Sequence, residues 1–204
     1  RALGRKAIAV PTDVSSEADV KRLAERATKE FGKVDILVNN AGIHGPIASV
    51  LDMDMKEFQR TINVNLKSVV LCSRAVLAQM IARKKGKIIS ISSLHGHRGS
   101  PYLSAYSVTK AGIIAFTQSL SREVARYNIN VHVICPHGVT TNMSKEIMVQ
   151  ASAAAGITPE ERMRVALTTT KWGTYPQPED IAPLVVFLAS PDSDPMTEQV
   201  IDFP

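Results

Sequence analysis

The feature that most constrains the fold is an alternation of short apolar runs with longer amphipathic stretches along the 204 residues. The short runs are rich in Val and Ile and predict β-strands, whereas the longer stretches carry apolar residues at helical spacing. Strand alternating with helix predicts a parallel sheet covered by helices on both faces, with right-handed crossovers. Because no repeat or linker interrupts the pattern, we expect residues 1–204 to form a single domain.

The boundaries of these elements follow from the same pattern. Strands are predicted at residues 6–10, 34–38, 87–91, 129–134 and 199–202. Helices are predicted at residues 16–31, 55–83, 105–127, 144–155, 159–167 and 178–189. Ser15 or Ser16 suits the N-cap of the first helix, and Gly32 suits its C-terminal stop. The near-continuous apolar character of residues 34–38 predicts a strand buried on both faces.

Charge and cysteine content narrow the class of protein. The formal net charge of +5 is mild, and its only dense run, Lys84, Lys85 and Lys87, is typical of a solvated helix end, so no nucleic acid is expected. No apolar stretch looks long enough to cross a membrane, so no membrane is expected either. Cys72 and Cys135 lie in apolar runs, which predicts buried free thiols and a reducing, cytoplasmic location.

A tyrosine and a lysine four residues apart, Tyr106 and Lys110, share one face of a predicted helix. A phenol has a pKa of about 10, and a nearby ammonium group lowers that value by stabilising the phenolate. Such a pair suits proton transfer between an alcohol and a ketone, and Ser93, at a strand end, is placed to hydrogen-bond the same substrate oxygen. The pair alone is a weak signal, because this spacing arises easily by chance.

Further polar segments follow the predicted strands, where ligands bind in parallel sheets. They occupy residues 12–14, 39–42, 92–93 and 136–138. Taken singly, each has an ordinary explanation: Asp13 suits a helix start, and Asn39 and Asn40 suit a turn. Their order along the chain, together with the Tyr106–Lys110 pair, favours a functional site.

These motifs resemble those of the short-chain dehydrogenase/reductase family over nearly the whole chain. The matching segments are Asp13-Val14, Asn39-Asn40-Ala41-Gly42, Asn65-Leu66, Ser93, Tyr106-Ser107-Val108-Thr109-Lys110 and residues 136–141. The resemblance implies a Rossmann-like, doubly wound parallel sheet in a three-layer α/β/α arrangement. It also implies an alcohol dehydrogenase or carbonyl reductase that uses NAD or NADP and a small secondary alcohol or ketone.

The resemblance assigns catalytic roles to four residues. Tyr106 is the general acid and base, Lys110 lowers its pKa and holds the nicotinamide ribose, and Ser93 polarises the substrate oxygen. Asn65 supports a proton relay at a helix kink, where its amide could bond groups that the distorted helix releases. Substrate contacts are expected from the loop at residues 96–103 and from residues 143–172, which end at Trp172.

Cofactor contacts are implied in two regions. On the adenosine side, Asp13 and the Val14 amide would meet the adenine, and Asn40, Ala41 and Gly42 would pass close to the ribose. Gly42 has no side chain and so permits a close approach.

On the nicotinamide side, the segment that begins at Pro136 is implied to bind the cofactor. Val139 and Thr141 match positions that hold the carboxamide and the diphosphate. His137 departs from the pattern, because the family usually has glycine there. The residue that selects NAD or NADP follows the family's second strand, which has no counterpart here, so both cofactors stay open.

The family's opening segment, a strand and a Gly-rich turn leading into a helix that cradles the diphosphate, also has no counterpart. The strand near Ile8 would be the third and that near Leu37 the fourth, and the first two strands normally lie between them. Their absence would leave a gap of roughly 10 Å and two exposed sheet edges. We therefore expect the 204 residues to be an incomplete stretch of a longer protein.

Three histidines, His95, His97 and His137, are the candidate metal ligands. Their spacing matches no standard site and no cysteine or carboxylate cluster accompanies them in the sequence, so no metal is expected. A loop near the substrate entrance explains them better.

Two expectations concern the whole molecule. The family implies a homodimer or homotetramer that associates through the helices holding Asn65 and Tyr106, whose exposed faces are expected to carry apolar residues. Those residues are Val69, Val70, Ile113 and Phe116. The alternative to an enzyme is a non-catalytic binding or scaffold subunit that has lost dinucleotide binding.

Overall fold

The computed structural model describes residues 4–168, 170 and 173–203, in which four strands form one parallel sheet. The strands lie side by side in chain order: β1 (Ile36–Asn39), β2 (Gly86–Ile91), β3 (Ile129–Pro136) and β4 (Val200–Phe203). β2 and β3 pair from Gly86 opposite Ile129 to Ile91 opposite Ile134. The predicted parallel sheet is confirmed for these four strands.

Helices connect and cover the strands at nearly the predicted positions. They are α1 (Glu17–Phe31), α2 (Met55–Thr61), α3 (Ser68–Arg83), α4 (Ser104–Val124), α5 (Asn142–Ala155), α6 (Pro159–Thr168) and α7 (Pro178–Ala189). A π-helical segment, Ile62–Lys67, joins α2 to α3, and single 3-10 turns lie at Leu94–Gly96, Ala125–Tyr127 and Pro191–Ser193. Each predicted helix is therefore confirmed to within a few residues.

Local chemistry sets both ends of α1. The Ser16 hydroxyl accepts a hydrogen bond from the Asp19 amide at 3.3 Å and so caps the first turn. Gly32 ends the helix with a φ of 84°, and its amide donates to the Thr28 carbonyl at 2.8 Å. Glycine takes this conformation without a clash because it has no β-carbon. The expected cap and stop are confirmed.

The core consists of two apolar layers, one on each face of the sheet. On one face, Ile88 of β2 packs with Met80 of α3, and both side chains are fully buried. On the other face, Ile89 packs with Leu188 of α7, again with full burial. Removing each such side chain from water stabilises the fold by roughly 1.5–3 kcal/mol. The three-layer α/β/α arrangement is confirmed.

Two expectations at the start of the sheet are wrong. Residues 6–10 form no strand, because no neighbouring strand among the described residues satisfies their backbone groups as a ladder would. Burial of β1 on both faces is also wrong, since Ile36 and Val38 are 43% and 42% exposed. Only the Leu37 face of β1 packs against the core, because β1 is an edge strand and no described helix covers its other face.

The helical span Met55–Arg83 is long and apolar enough to cross a membrane by length and composition alone. The expectation that no stretch meets this criterion is therefore wrong. The span nevertheless contains a buried polar residue, Asn65, and packs Val76 and Met80 into the core against β2. A helix that packs into a protein core can meet the same length and composition criterion, so the criterion alone does not indicate a membrane span.

The apolar residues expected on exposed helix faces fall into two groups. Val69 and Ile113 are buried in a cluster with Val133, and Phe116 packs against that cluster, so the expectation is wrong for these three helical residues. Packing on the sheet takes precedence because α3 and α4 lie directly over it. Val70 is 38% exposed, as expected.

One core residue makes the stability of the fold depend on pH. His132, in the middle of β3, is fully buried, and neither ring nitrogen has a hydrogen-bond partner among the described residues. Burial, with a smaller effect from the charge of Lys87, lowers the pKa of His132 from 6.5 to about 4. The unfolded chain therefore takes up a proton first as the pH falls. Protonation of His132 therefore does not reduce the free energy of unfolding above pH 6.5, and it reduces that free energy progressively as the pH falls toward 4.

We expect the His132→Leu variant to lose this pH dependence, because leucine fills a similar volume without a titratable group. Between pH 7 and pH 5 the wild-type free energy of unfolding should fall by about 2 kcal/mol more than that of the variant. Urea unfolding followed by circular dichroism at the two pH values measures the difference. The control is Ile88→Leu, a buried substitution that should leave the pH dependence unchanged. Equal pH dependence in His132→Leu and wild type would contradict the assignment.

Candidate active site

The polar segments that follow the strands meet at one edge of the sheet, as expected for the carboxyl ends of parallel strands. Beyond the last residue of β2, the Ser92 amide still donates to the Ile134 carbonyl of β3 at 2.7 Å. Beyond β3, the His137 amide donates to the Phe203 carbonyl of β4 at 2.9 Å. These bonds extend the strand pairing by one residue into the loops and so fix where the loops begin.

Ser93, Tyr106 and Lys110 come together at this edge, as the sequence predicts. The Ser93 side chain interacts with the Tyr106 side chain, and the Lys110 Nζ lies 5.4 Å from the centre of the Tyr106 ring. Ser93 and Lys110 are 8% and 6% exposed. The Lys110 ammonium donates to the Ile91 carbonyl at 2.8 Å, so α4 is attached to the end of β2.

The loop that carries Ser93 lies directly on α4. The Ser92 hydroxyl donates to the Lys110 carbonyl at 2.8 Å, and the Ser93 hydroxyl accepts from the His95 amide at 3.2 Å. A β-carbon on Gly96 would lie 2.8 Å from the Lys110 carbonyl carbon, closer than packing allows. The position of Ser93 therefore depends on glycine at residue 96.

The pKa of Tyr106 departs from the sequence expectation. Burial raises the pKa of this phenol above its ordinary value, and the hydrogen bond from Ser93 offsets the rise in part. Burial also lowers the pKa of Lys110 to about 8. The expected lowering of the Tyr106 pKa by Lys110 is not the dominant effect, because desolvation penalises the phenolate and the ammonium is directed to the Ile91 carbonyl.

Asn65 occupies the π-helical segment and is fully buried. Its Oδ1 accepts from the Ile43 amide at 2.8 Å, while its Nδ2 donates to the Ile43 carbonyl at 2.8 Å and to the Thr109 hydroxyl at 3.1 Å. The expected distortion of the helix is confirmed. The expected bonding partners are wrong, because these three bonds join Asn65 to the loop after β1 and to α4 instead of to its own helix.

The loop after β1 runs close to the catalytic set at Gly42. A β-carbon there would lie 3.4 Å from the Asn65 Oδ1 and 3.9 Å from the Lys110 Nζ. Asn40 and Ala41, just before it, are exposed. The three residues expected beside the cofactor ribose therefore form an accessible border of the site.

Two other predicted cofactor residues use their side chains in local hydrogen bonds at the starts of helices, Asp13 in the turn before α1 and Thr141 as the N-cap of α5. The Asp13 carboxylate accepts from the Ser15 amide at 2.9 Å and from its hydroxyl at 2.7 Å, and these bonds lower the pKa of Asp13. The Thr141 hydroxyl accepts from the Ser144 amide at 3.1 Å at the start of α5. The remaining predicted cofactor residues are half-buried Val14 and Val139 and buried Pro136. Cofactor contacts at these five positions stay predictions.

A group of basic residues that sequence reasoning did not connect to Tyr106 lies beside it. The His95 ring meets the Tyr106 ring edge-on, with centres 6.2 Å apart. Burial, and then the charges of Arg98, Arg162 and His137, lower the pKa of His95. The sequence placed the histidines near a substrate entrance, but Arg162 belongs to α6, and its approach depends on tertiary packing.

The expected substrate region, residues 143–172, folds mainly as α5 and α6, and Trp172 lies outside the described residues. A cavity of about 280 Å³ separates α5 from the loop after β1. It is lined by Ile43, His44, Gly45, Pro46, Glu57, Arg60, Met143 and Glu146. The His44 Nε2 lies 3.4 Å from the Glu146 carboxylate and links the two walls.

The expectation that no cysteine or carboxylate accompanies the histidines is wrong. One ligand atom from each of His97, Cys135 and Asp202 lies within 4.8 Å of the other two. Cys135 and Asp202 come from neighbouring strands that are far apart in the sequence. Sequence spacing could not reveal the cluster, because strand register brings these residues together.

The family of the chain follows from comparison with known proteins. A family profile described as short chain dehydrogenase matches residues 1–152. The (S)-acetoin-forming diacetyl reductase of Staphylococcus epidermidis is 35% identical over 202 residues, which cover 97% of this chain and 77% of that protein. The chain belongs to the short-chain dehydrogenase family and is an oxidoreductase of that family.

Solved structures agree with this assignment. A xylitol dehydrogenase bound to NAD⁺ superimposes with a TM-score of 0.89 at 30% identity, covering 94% of this chain and 76% of that one. An actinorhodin polyketide ketoreductase with NADPH gives a TM-score of 0.87 at 30% identity, covering 94% and 74%. The Rossmann-like fold is confirmed. These relatives include both nicotinamide cofactors, in agreement with the open choice between them.

We expect the Gly96→Ala variant to lose catalytic rate, because the new methyl group would push the Ser93 loop away from the backbone of α4. A displacement near 1 Å in a catalytic group lowers kcat by roughly 100-fold. The measurement is steady-state oxidation of NADH or NADPH with a ketone, alongside circular dichroism to confirm folding.

Gly99→Ala is the matched control, since a β-carbon on Gly99 would meet no atom within 4 Å. It should retain a rate well above that of Gly96→Ala. Equal rates for the two variants would show that the loop position does not govern catalysis.

Proposed function

We propose that the protein is an NAD(P)-dependent oxidoreductase that interconverts a secondary alcohol and a ketone, with Tyr106 as the acid and base. The observation that carries this proposal is the convergence of Tyr106, Ser93 and Lys110 at the carboxyl edge of the sheet. A non-catalytic scaffold would have no need of a buried lysine beside a half-buried phenol, because burying such groups costs free energy.

The protonation states suit reduction of a ketone. Because burial raises the pKa of Tyr106, the phenol is protonated at neutral pH and can give its proton to the carbonyl oxygen. The Ser93 hydroxyl is positioned to donate a hydrogen bond to the same oxygen and to polarise it. In the oxidation direction the Tyr106 oxygen takes the proton back, and Lys110, which is cationic below pH 8, stabilises the phenolate.

A nicotinamide cofactor would supply or accept the hydride. The residues at Gly42 suit such a cofactor, because glycine has no side chain to occupy the space beside Asn65 and Lys110. Asn40 and Ala41 would border the ribose, and Lys110 would hold the nicotinamide ribose. Asn65 would hold Gly42 in place through its bonds to Ile43 and would support a proton relay.

The proposed substrate is a small alcohol or ketone. Two relatives, a diacetyl reductase and a xylitol dehydrogenase, support this substrate class. The proposed contacts come from the loop at residues 96–103 and from α5 and α6. His95, which directly precedes that loop and meets the Tyr106 ring, is well placed to touch the substrate.

We expect Tyr106→Phe to lower kcat by roughly 10²- to 10⁴-fold, because the variant lacks the transferable proton. Cofactor affinity should change little, since the ring stays in place. The measurements are turnover of diacetyl, acetoin and xylitol with both nicotinamide cofactors, and nucleotide binding by isothermal titration calorimetry. Tyr127→Phe, at the far end of α4, is the control. Wild-type turnover by Tyr106→Phe would refute the assignment, and failure of the wild-type protein to bind either nucleotide would support a scaffold instead.

We also propose a cytoplasmic homodimer or homotetramer. Both cysteines are free thiols, as is usual in a reducing compartment. On α3 and α4, Val70 and Val108 are 38% and 50% exposed, and exposed apolar side chains on neighbouring helices are typical of subunit contacts.

A charge at this surface should weaken association. We expect Val108→Lys to reduce the molar mass measured by size-exclusion chromatography with light scattering, because an unpaired ammonium would be buried in the interface. Val165→Lys is the control, since Val165 on α6 is 62% exposed. A wild-type monomer, or an unchanged mass for Val108→Lys, would contradict the proposed interface.

A further inference from the structure

Three side chains of the kinds that bind transition metals meet beside the active site without a part in the proposed proton transfer. They are His97, Cys135 and Asp202, and one ligand atom from each lies within 4.8 Å of the other two. The His97 Nε2 is 2.8 Å from an Asp202 carboxylate oxygen. The cluster therefore offers an imidazole, a thiol and a carboxylate that converge on one point.

The fold holds two of these residues in fixed relation. Cys135 and Asp202 are directly paired residues of the parallel strands β3 and β4, so their side chains leave the sheet on the same face. Cys135 is fully buried and belongs to the cluster beneath α4 that includes Ile113. His97 reaches them from the 3-10 turn that follows Ser93.

The geometry is close to that of a bound ion. Around tetrahedral Zn²⁺, with bonds of about 2.0–2.3 Å, neighbouring ligand atoms lie roughly 3.5 Å apart. Reaching that arrangement requires His97 and Asp202 to separate slightly and Cys135 to approach. His97 and Asp202 have room to rotate, because their side chains are 35% and 58% exposed.

The charges and ligand types favour one class of ion. Metal binding releases the thiol proton of Cys135 to solvent. The resulting thiolate and the Asp202 carboxylate together balance a divalent cation, which leaves the occupied site neutral. Thiolate and imidazole ligands select Zn²⁺ and similar transition metals over Mg²⁺ and Ca²⁺, which prefer oxygen.

We propose that His97, Cys135 and Asp202 bind a divalent transition-metal ion, with Zn²⁺ the best match, and that water completes the coordination on the exposed side. The ion joins the loop after Ser93 to the ends of β3 and β4. It acts as a structural clamp on the substrate-side loop and takes no part in hydride or proton transfer.

Cobalt is the spectroscopic probe for this site. Titration of the protein with Co²⁺ should produce a thiolate-to-metal charge-transfer absorption band that saturates at one equivalent of Co²⁺. Added Zn²⁺ should abolish the band by displacing the cobalt. Cys135→Ser should remove the band, whereas Cys72→Ser, which alters the other thiol, should retain it. Absence of the band in the wild type, or its loss in Cys72→Ser alone, would overturn the proposal.

His97→Ala provides the test that does not depend on a core substitution. Because His97 is exposed, the variant should fold normally, and its Zn²⁺ affinity should fall by at least roughly 100-fold. Zn²⁺ at about 100 times its Kd should raise the wild-type Tm by roughly 5–10 °C and leave the Tm of His97→Ala unchanged. An equal rise in both proteins would overturn the proposal, and neither measurement depends on enzyme activity.

Discussion

The attachment of α4 to the end of β2 through Lys110 is the interaction on which the site depends. The Lys110 side chain donates to the Ile91 carbonyl, and its own carbonyl accepts from the Ser92 hydroxyl. The Ser92 bond is buried and the Lys110 bond is partly buried. Because the protein interior screens charges less than water does, removing either partner is costly. The two bonds place the helix that carries Tyr106 against the loop that carries Ser93. Asn65 adds a third connection, between α4 and the loop after β1.

This arrangement removes much of the water from Tyr106 and Lys110, the two groups to which we assign the proposed proton transfer. Burial raises the pKa of Tyr106 and lowers the pKa of Lys110 to about 8, so each group is driven toward its neutral form. Burial also lowers the pKa of His132 in the core, where no hydrogen-bond partner among the described residues offsets the loss of water. The sheet thus contains one buried polar cluster that suits proton transfer and one buried imidazole that makes stability sensitive to acid.

Much of the fold was predictable because strands and helices follow local periodicity. The helix α1 with its Ser16 cap and Gly32 stop needs only neighbouring residues to form. The strand predictions were wrong where they depended on partners. Residues 6–10 have no paired strand within the part of the chain that the structure describes, and Ile36 and Val38 are exposed because β1 is an edge of the described sheet.

The sequence by itself determined the parallel α/β architecture and the family, and it predicted Ser93, Tyr106 and Lys110 as a functional set. Tertiary structure alone decided how these groups titrate, because desolvation depends on everything packed around a side chain. It also decided which distant residues meet. Cys135 and Asp202 lie opposite each other only through the register of β3 and β4, and His97 joins them only because its loop turns back over that edge, a proximity that spacing along a chain does not encode.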